Sequence, residues 1–303
     1  MTTAPREEGR VADVPFDTTF AKRLEALALV ARRIHAGRMR AERRSRRTGS
    51  GMSFADHRPY VPGDDFRSVD FAVFQRTRKL LVRLYEQEED LSVHLLLDAS
   101  GSMGLGDPTK LELARRLVAA FAYVGLSRLD RVSITILRDA IDGRLPPLRG
   151  KRQILRVLEF LGAVDAHGRT DLETAVRAFV AETRRRGLVV LVSDFFDAKG
   201  AASAIDRLRH AGFETHVVHL VDRDELAPPL VGDLRLEDSE TRDVLDVTIT
   251  PALLARHRTA LLGAREALAR HCREKRVAHH TVEVHAPLED AVLGLLVKEG
   301  LFG

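Results

Sequence analysis

Residues 94–104 read HLLLDASGSMG. The preceding residues make 91–97 an almost unbroken apolar run, LSVHLLL. Such a run suits a strand buried on both faces, as in a parallel sheet, and not a half-exposed one. The run stops at Asp98, and the chain then turns through small residues. Asp98, Ser100 and Ser102 fall at alternate positions, so one tight turn can aim three oxygens at one point. Gly101 and Gly104 give the backbone the freedom to turn. The competing reading is a polar turn and helix N-cap, which Asp and Ser also favour.

Working outward, further strands recur. RVSITIL (131–137) reads as a strand, GLVVLVSD (187–194) and ETHVVHLVD (214–222) as buried strands, and VAHHTVEVHA (277–286) as a last strand. Helical spacing falls between them, over 108–127, 151–161, 171–186, 200–211 and 251–275, with a closing helix over 288–298. Strands alternating with helices of ten or more residues predict an α/β protein with a doubly wound, mostly parallel sheet. Residues 233–249 read as an inserted β-hairpin whose tip carries the polar residues near 238–242. Upstream lies a small helix-plus-strand segment. It has an amphipathic helix over 18–40, a basic run RMRAERRSRR from Arg38 to Arg47, a turn at Pro62-Gly63-Asp64-Asp65, and a half-exposed strand over 79–87. The predicted organisation is therefore a disordered 1–16, an N-terminal segment 17–89, and a main domain 90–303 carrying the hairpin.

Composition narrows the function. The chain has 303 residues, a 45% apolar content and a formal charge of +4, too mild to imply nucleic acid by itself. Trp is absent and aromatics make up 5%, which argues against base-stacking platforms. A single cysteine, Cys272, excludes an intramolecular disulfide and a multi-cysteine metal site. No signal peptide and no membrane span are read, so a cytoplasmic location is expected.

Functional groups of a doubly wound sheet collect beyond the carboxyl ends of its strands. Three segments qualify: Asp98-Ala99-Ser100-Gly101-Ser102, the loop Gly168-Arg169-Thr170-Asp171, and Ser193-Asp194. Asp98, Ser100, Ser102, Thr170 and Asp194 offer two carboxylates and three hydroxyls with no soft donor. That set suits Mg²⁺, or else Mn²⁺ or Ca²⁺, better than Zn²⁺. Thr170 also reads as a helix N-cap with Glu173 three residues on, and Asp197 competes with Asp194.

DASGS, the Thr of GRTDLETAV and the Asp of VLVSD together resemble the metal-ion-dependent adhesion site of von Willebrand factor A domains. The stretch RPYVPGDDFRSVDFAVFQRTRKLLVRLYEQEE resembles the signature of the DUF58 family, with Phe71 where Trp is usual. The resemblance spans roughly residues 45–303. It implies a von Willebrand A-like fold and a protein-binding module rather than an enzyme. In it Asp98, Ser100, Ser102, Thr170 and Asp194 hold Mg²⁺, and a partner Asp or Glu completes the metal shell. It further implies association with a MoxR-type AAA+ ATPase or its client, as adaptor or co-chaperone.

Two other classes are weighed against this. Asp98 after a buried strand suits a Mg²⁺-dependent phosphoryl-transfer hydrolase, but that chemistry wants a second acid where Ser100 stands, and no positioned lysine is read. The Arg38 to Arg47 run could meet nucleic-acid phosphates, although no aromatics interleave with it and a solvated or partner-docking face is expected. His216 and His219 read as core histidines. His279 and His280, adjacent on a strand, point to opposite faces.

Overall fold

The structure, a computed structural model, describes residues 20, 22–30, 53–86 and 91–298. The Arg38 to Arg47 run and the expected disorder of 1–16 lie outside them. Contacts divide the chain into two units, 36–90 and the remainder.

In the smaller unit, β1 (Ser53–Pro59) pairs antiparallel with β2 (Leu81–Glu86), and α1 (Phe71–Thr77) lies between them in sequence. Asp70 organises this unit. Its Oδ1 caps α1 by accepting from the Ala72 and Val73 N–H groups, each at 3.1 Å. Its Oδ2 meets Arg83 Nε and His57 Nε2, each at 2.9 Å. Arg83 and then His57 hold the Asp70 carboxyl well below the usual carboxylate range. Arg58 gives both guanidinium nitrogens to Asp64, at 2.6 Å each. β1 and α1 are not read from the sequence, where TGSGMSF looks flexible and α1 has no buried face. Phe71 is half exposed and packs on the Phe66 ring, 6.2 Å between centroids.

The larger unit is the doubly wound α/β fold. Its strands are β3 (Ser92–Asp98), β4 (Arg131–Leu137), β5 (Ile141–Leu148), β6 (Leu188–Ser193), β7 (Glu214–Val221) and β10 (Ala278–Glu283). A separate hairpin, β8 (Gly232–Glu237) with β9 (Val244–Ile249), accounts for the intervening numbers. The six-stranded sheet runs β10-β7-β6-β3-β4-β5, all parallel except β5. The chain starts at β3, builds outward to β5, then returns to β6 on the other side. The carboxyl end of β3 is therefore the topological switch point.

Side-chain alternation along β3 explains the two layers. Val93, Leu95 and Leu97 enter one core, together with helical residues 20 and 22–30, α2 (Lys110–Ser127), α3 (Ile154–Gly162) and α7 (Leu288–Lys298). Leu96 enters the other, under α4 (Leu172–Glu182), α5 (Ala198–His210) and α6 (Pro251–Lys275). Fifteen of the 18 residues of α2 are buried, so this helix is enclosed all round and not merely laid on the sheet. Its N-cap is Thr109, in a capping box with Glu112, so the helix begins at Lys110, two residues beyond the expected Pro108.

Three details differ from the sequence expectation. Helical residues 20 and 22–30, grouped there with the N-terminal segment, belong to the larger unit, because Phe20, Leu24, Leu27 and Ala28 are buried in its core. β5 occupies a stretch where Pro146-Pro147 reads as a break. It is the sheet's edge strand, and the pairing skips between Val132 and Ile134 opposite the prolines, so few N–H groups are missed. The helix expected over 171–186 ends at Glu182.

Candidate functional site

The site is built on the end of β3. Asp98 is fully buried and both its oxygens are engaged. Oδ1 accepts the Ser100 N–H at 2.9 Å, and Oδ2 accepts the hydroxyl of Ser193, at the end of neighbouring β6, at 2.6 Å. Burial, and after it the negative charge of Asp194, push the Asp98 carboxyl up to about 6. After Asp98 the chain makes a 3-10 turn over Gly101–Gly104. Ser100 stands at the turn's N-cap but makes no side-chain capping bond there. Instead the buried Ser100 and Ser102 hydroxyls approach to 3.2 Å.

The second loop is zipped against the first. Gly101 N–H donates to Gly168 O (2.9 Å), and His167 N–H donates to Ala99 O (3.1 Å). Arg138 clamps both loops, reaching Ala99 O through Nε at 3.1 Å and Asp165 O through Nη2 at 2.7 Å. This brings Thr170 to the same end of the sheet. Thr170 does not cap α4. That role falls to Asp171, which accepts the Thr174 N–H at 2.9 Å. Thr170 gives its hydroxyl to Glu240 Oε1 (3.0 Å) and its backbone N–H to Glu240 Oε2 (3.1 Å).

The third segment carries Asp194, which is buried. Its Oδ2 accepts from Lys110 Nζ at 2.6 Å. Lys110 is itself fully buried; it also donates to Glu225 Oε1 at 2.6 Å and lies 4.4 Å from the centre of the Phe196 ring. Glu225 in turn pairs with Arg265 at 2.7 Å. Asp197, the competitor, caps α5 by accepting the Gly200 N–H at 3.0 Å.

The five sequence candidates thus meet at one end of the sheet; Ser193, read in the sequence only as part of its segment, joins Asp98, and the structure adds Arg138, Lys110, Glu225 and Glu240. Lys110 corrects the expectation that no lysine is positioned at the site. Its signal is absent from sequence, since its partners lie 84 and 115 residues away. Among the described residues no three His, Cys, Asp or Glu side chains form a group that could hold a metal ion. The histidines pair as strand register dictates. His216 stacks on His280 on one face (5.9 Å) and His219 meets His279 on the other (5.6 Å). Burial first, then the neighbouring His279, lowers the pKa of His219 to about 3, so it stays neutral at physiological pH.

The raised Asp98 carboxyl has a measurable consequence in chelator-treated protein. A carboxyl bound more tightly to its proton in the fold stabilises fully below its ordinary pKa of about 4. That contribution is lost as pH rises through about 6. Asp98→Asn does not titrate. Between pH 4 and pH 7.5 the stability of wild type relative to Asp98→Asn should fall by on the order of 1–3 kcal/mol in urea unfolding. A difference that stays flat with pH would contradict the buried, acid-paired carboxylate.

The sequence model of the family described as "Protein of unknown function DUF58" matches residues 56–267. An uncharacterized protein of Mycobacterium tuberculosis strain H37Rv, Rv1480, is 30% identical over 244 residues, 78% of this chain and 76% of that protein. The Mycobacterium bovis protein Mb1516 matches with the same figures. Among solved structures, the conserved hypothetical protein BatB from Bacteroides thetaiotaomicron is similar over 69% of this chain and 98% of its own, at 16% identity and a TM-score of 0.44. The SpRpn10 VWA domain is similar over 68% and 95%, at 11% identity and a TM-score of 0.40. No helix among the described residues is long and apolar enough to cross a membrane.

Proposed function

This chain belongs to the DUF58 family, and we propose that it is a metal-dependent protein-binding module whose site takes a carboxylate from a partner. The observation that carries the reading is the set of oxygens at the switch point. A wholly buried Asp98 carboxylate lies beside two buried serine hydroxyls that face each other rather than capping a helix. Their 3.2 Å separation is near the ~2.9 Å between adjacent ligands of an octahedral cation with ~2.0–2.1 Å bonds. Lys110 already balances Asp194, so the buried Asp98, which Asp194 repels, is the carboxylate left to attract a cation.

In this reading Ser100 and Ser102 hold Mg²⁺ directly, while Asp98, Thr170 and Asp194 act directly or through water. Asp194 suits an orienting role, because Lys110 already occupies its Oδ2. When bound, the cation supplies an open, strongly attracting position for an Asp or Glu side chain. The proposed partner is a MoxR-type AAA+ ATPase or its client. The phosphoryl-transfer alternative is weakened by the engagement of both Asp98 oxygens, and by Lys110 pairing with Asp194 rather than with Asp98.

Pull-down with a MoxR-type ATPase from the same genome tests the reading. Recovery in Mg²⁺ should drop at least about tenfold in EDTA, and equally in a folded Asp98→Ala variant. Equal recovery in all three would sink it.

A further inference from the structure

The β8–β9 hairpin is anchored in an unusual way. Its strands pair in register from Gly232 with Ile249 to Glu237 with Val244, leaving a turn over 238–243. From Arg235 through Asp246 every residue is exposed except Ser239 and Glu240. The apolar residues nearer the tip, Leu236, Val244 and Leu245, are 38%, 47% and 64% exposed, whereas the paired Leu234 and Val247 are half-buried and Ile249, at the base, is buried. An isolated two-stranded hairpin is marginally stable in water; Ile249 seats the base of this one, and its exposed outer half is held at the tip.

The tip rests on the site. Both Glu240 oxygens accept from Thr170, one from the hydroxyl and one from the backbone N–H. The Ser239 carbonyl lies so close to Gly101 that a Cβ there would sit 2.4 Å from its oxygen. Position 101, between Ser100 and Ser102, thus admits the tip only as glycine. The turn is preformed for this task. Asp238 Oδ1 accepts the N–H groups of Glu240 and Thr241, each at 2.8 Å, and Arg242 takes a positive φ of 65°. A carboxylate on a preset turn is the chemical group that the proposed site receives from a partner.

We infer that Glu240 is an internal stand-in for the partner's carboxylate: the hairpin closes the site on itself, and a partner binds only when the tip lifts. The inference rests on the metal-site reading above and adds a regulator to it. It makes the exposed strands a lever whose displacement opens Thr170.

The test uses the full chain and Mn²⁺ alone, followed by electron paramagnetic resonance and water proton relaxation, with thermal melting as a check on folding. Glu240→Gln removes the charge. A second variant replaces 238–243 by Asn-Gly, which keeps a hairpin but removes the tip. Both should bind Mn²⁺ about tenfold more weakly than wild type and show more water on the bound ion. Added acetate should lower that extra relaxation in the variants and leave wild type unchanged. If wild type binds Mn²⁺ and the variants match it in affinity, hydration and acetate response, Glu240 is not a stand-in, although the site stands. If wild type does not bind Mn²⁺ at all, the site reading fails and the stand-in with it.

Discussion

Lys110→Met should cost about 3–5 kcal/mol of folding free energy, the range for removing one partner of a buried ion pair. The lysine is fully enclosed, and its ammonium lies 2.6 Å from both Asp194 and Glu225. Methionine matches its length but leaves Asp194 a buried carboxylate with no counter-charge, beside the equally buried Asp98. Glu225 suffers less, since Arg265 still holds its other oxygen. The loss should therefore trace to Asp194, and adding Asp194→Asn to Lys110→Met should recover a large part of it in a double-mutant cycle. Urea unfolding at neutral pH reads both. A loss under about 1 kcal/mol, the scale of an exposed pair, would show that water reaches the ammonium. If the site holds a dication as proposed, Mg²⁺ should restore more stability to Lys110→Met than it adds to wild type, because it supplies the charge that Asp194 has lost.

The same lysine marks where sequence stops being informative. The parallel sheet is legible because residues 91–97 and 188–193 are largely apolar on both faces, which enclosure between two helical layers satisfies, and because strands alternate with helices along the chain. The hairpin is legible from alternation around a polar tip. Asp98, Ser100, Ser102 and Asp194 are legible as candidates because strand ends at a switch point can be located without coordinates. What they touch cannot be. Thr170 reads as an N-cap by local rules, yet its donors go to Glu240, 70 residues on, and the cap passes to Asp171. Lys110 looks like an ordinary first-turn lysine until the fold encloses it. β5 is hidden by Pro146-Pro147, since local propensity cannot know that the strand will lie on an edge. In each case a long-range partner overrides a local preference.

Gly187 carries that lesson into a large, checkable effect. By local rules it terminates the preceding helix, but the helix ends at Glu182 with Thr183 as its C-cap. Gly187 instead enters β6 just before the Val93–Leu188 rung with β3. A Cβ at this position would lie 2.1 Å from the Ser92 carbonyl oxygen and 3.0 Å from its carbon. Those are backbone atoms of the central strand, so no rotamer change relieves the clash; β3 and β6 must part where their pairing begins. Gly187→Ala should therefore cost about 3 kcal/mol, the upper end for overpacking a tight interior. The same substitution at Gly263 provides the opposite sign. Gly263 is exposed within the 25-residue helix α6, with nothing within 4 Å of a Cβ built there. Gly263→Ala should stabilise by about 1 kcal/mol, the helix-propensity difference between the two residues. Urea unfolding of the two variants side by side separates close backbone approach from general intolerance of a methyl group. Equal effects of the same sign would show that the β3–β6 junction yields as readily as open helix surface.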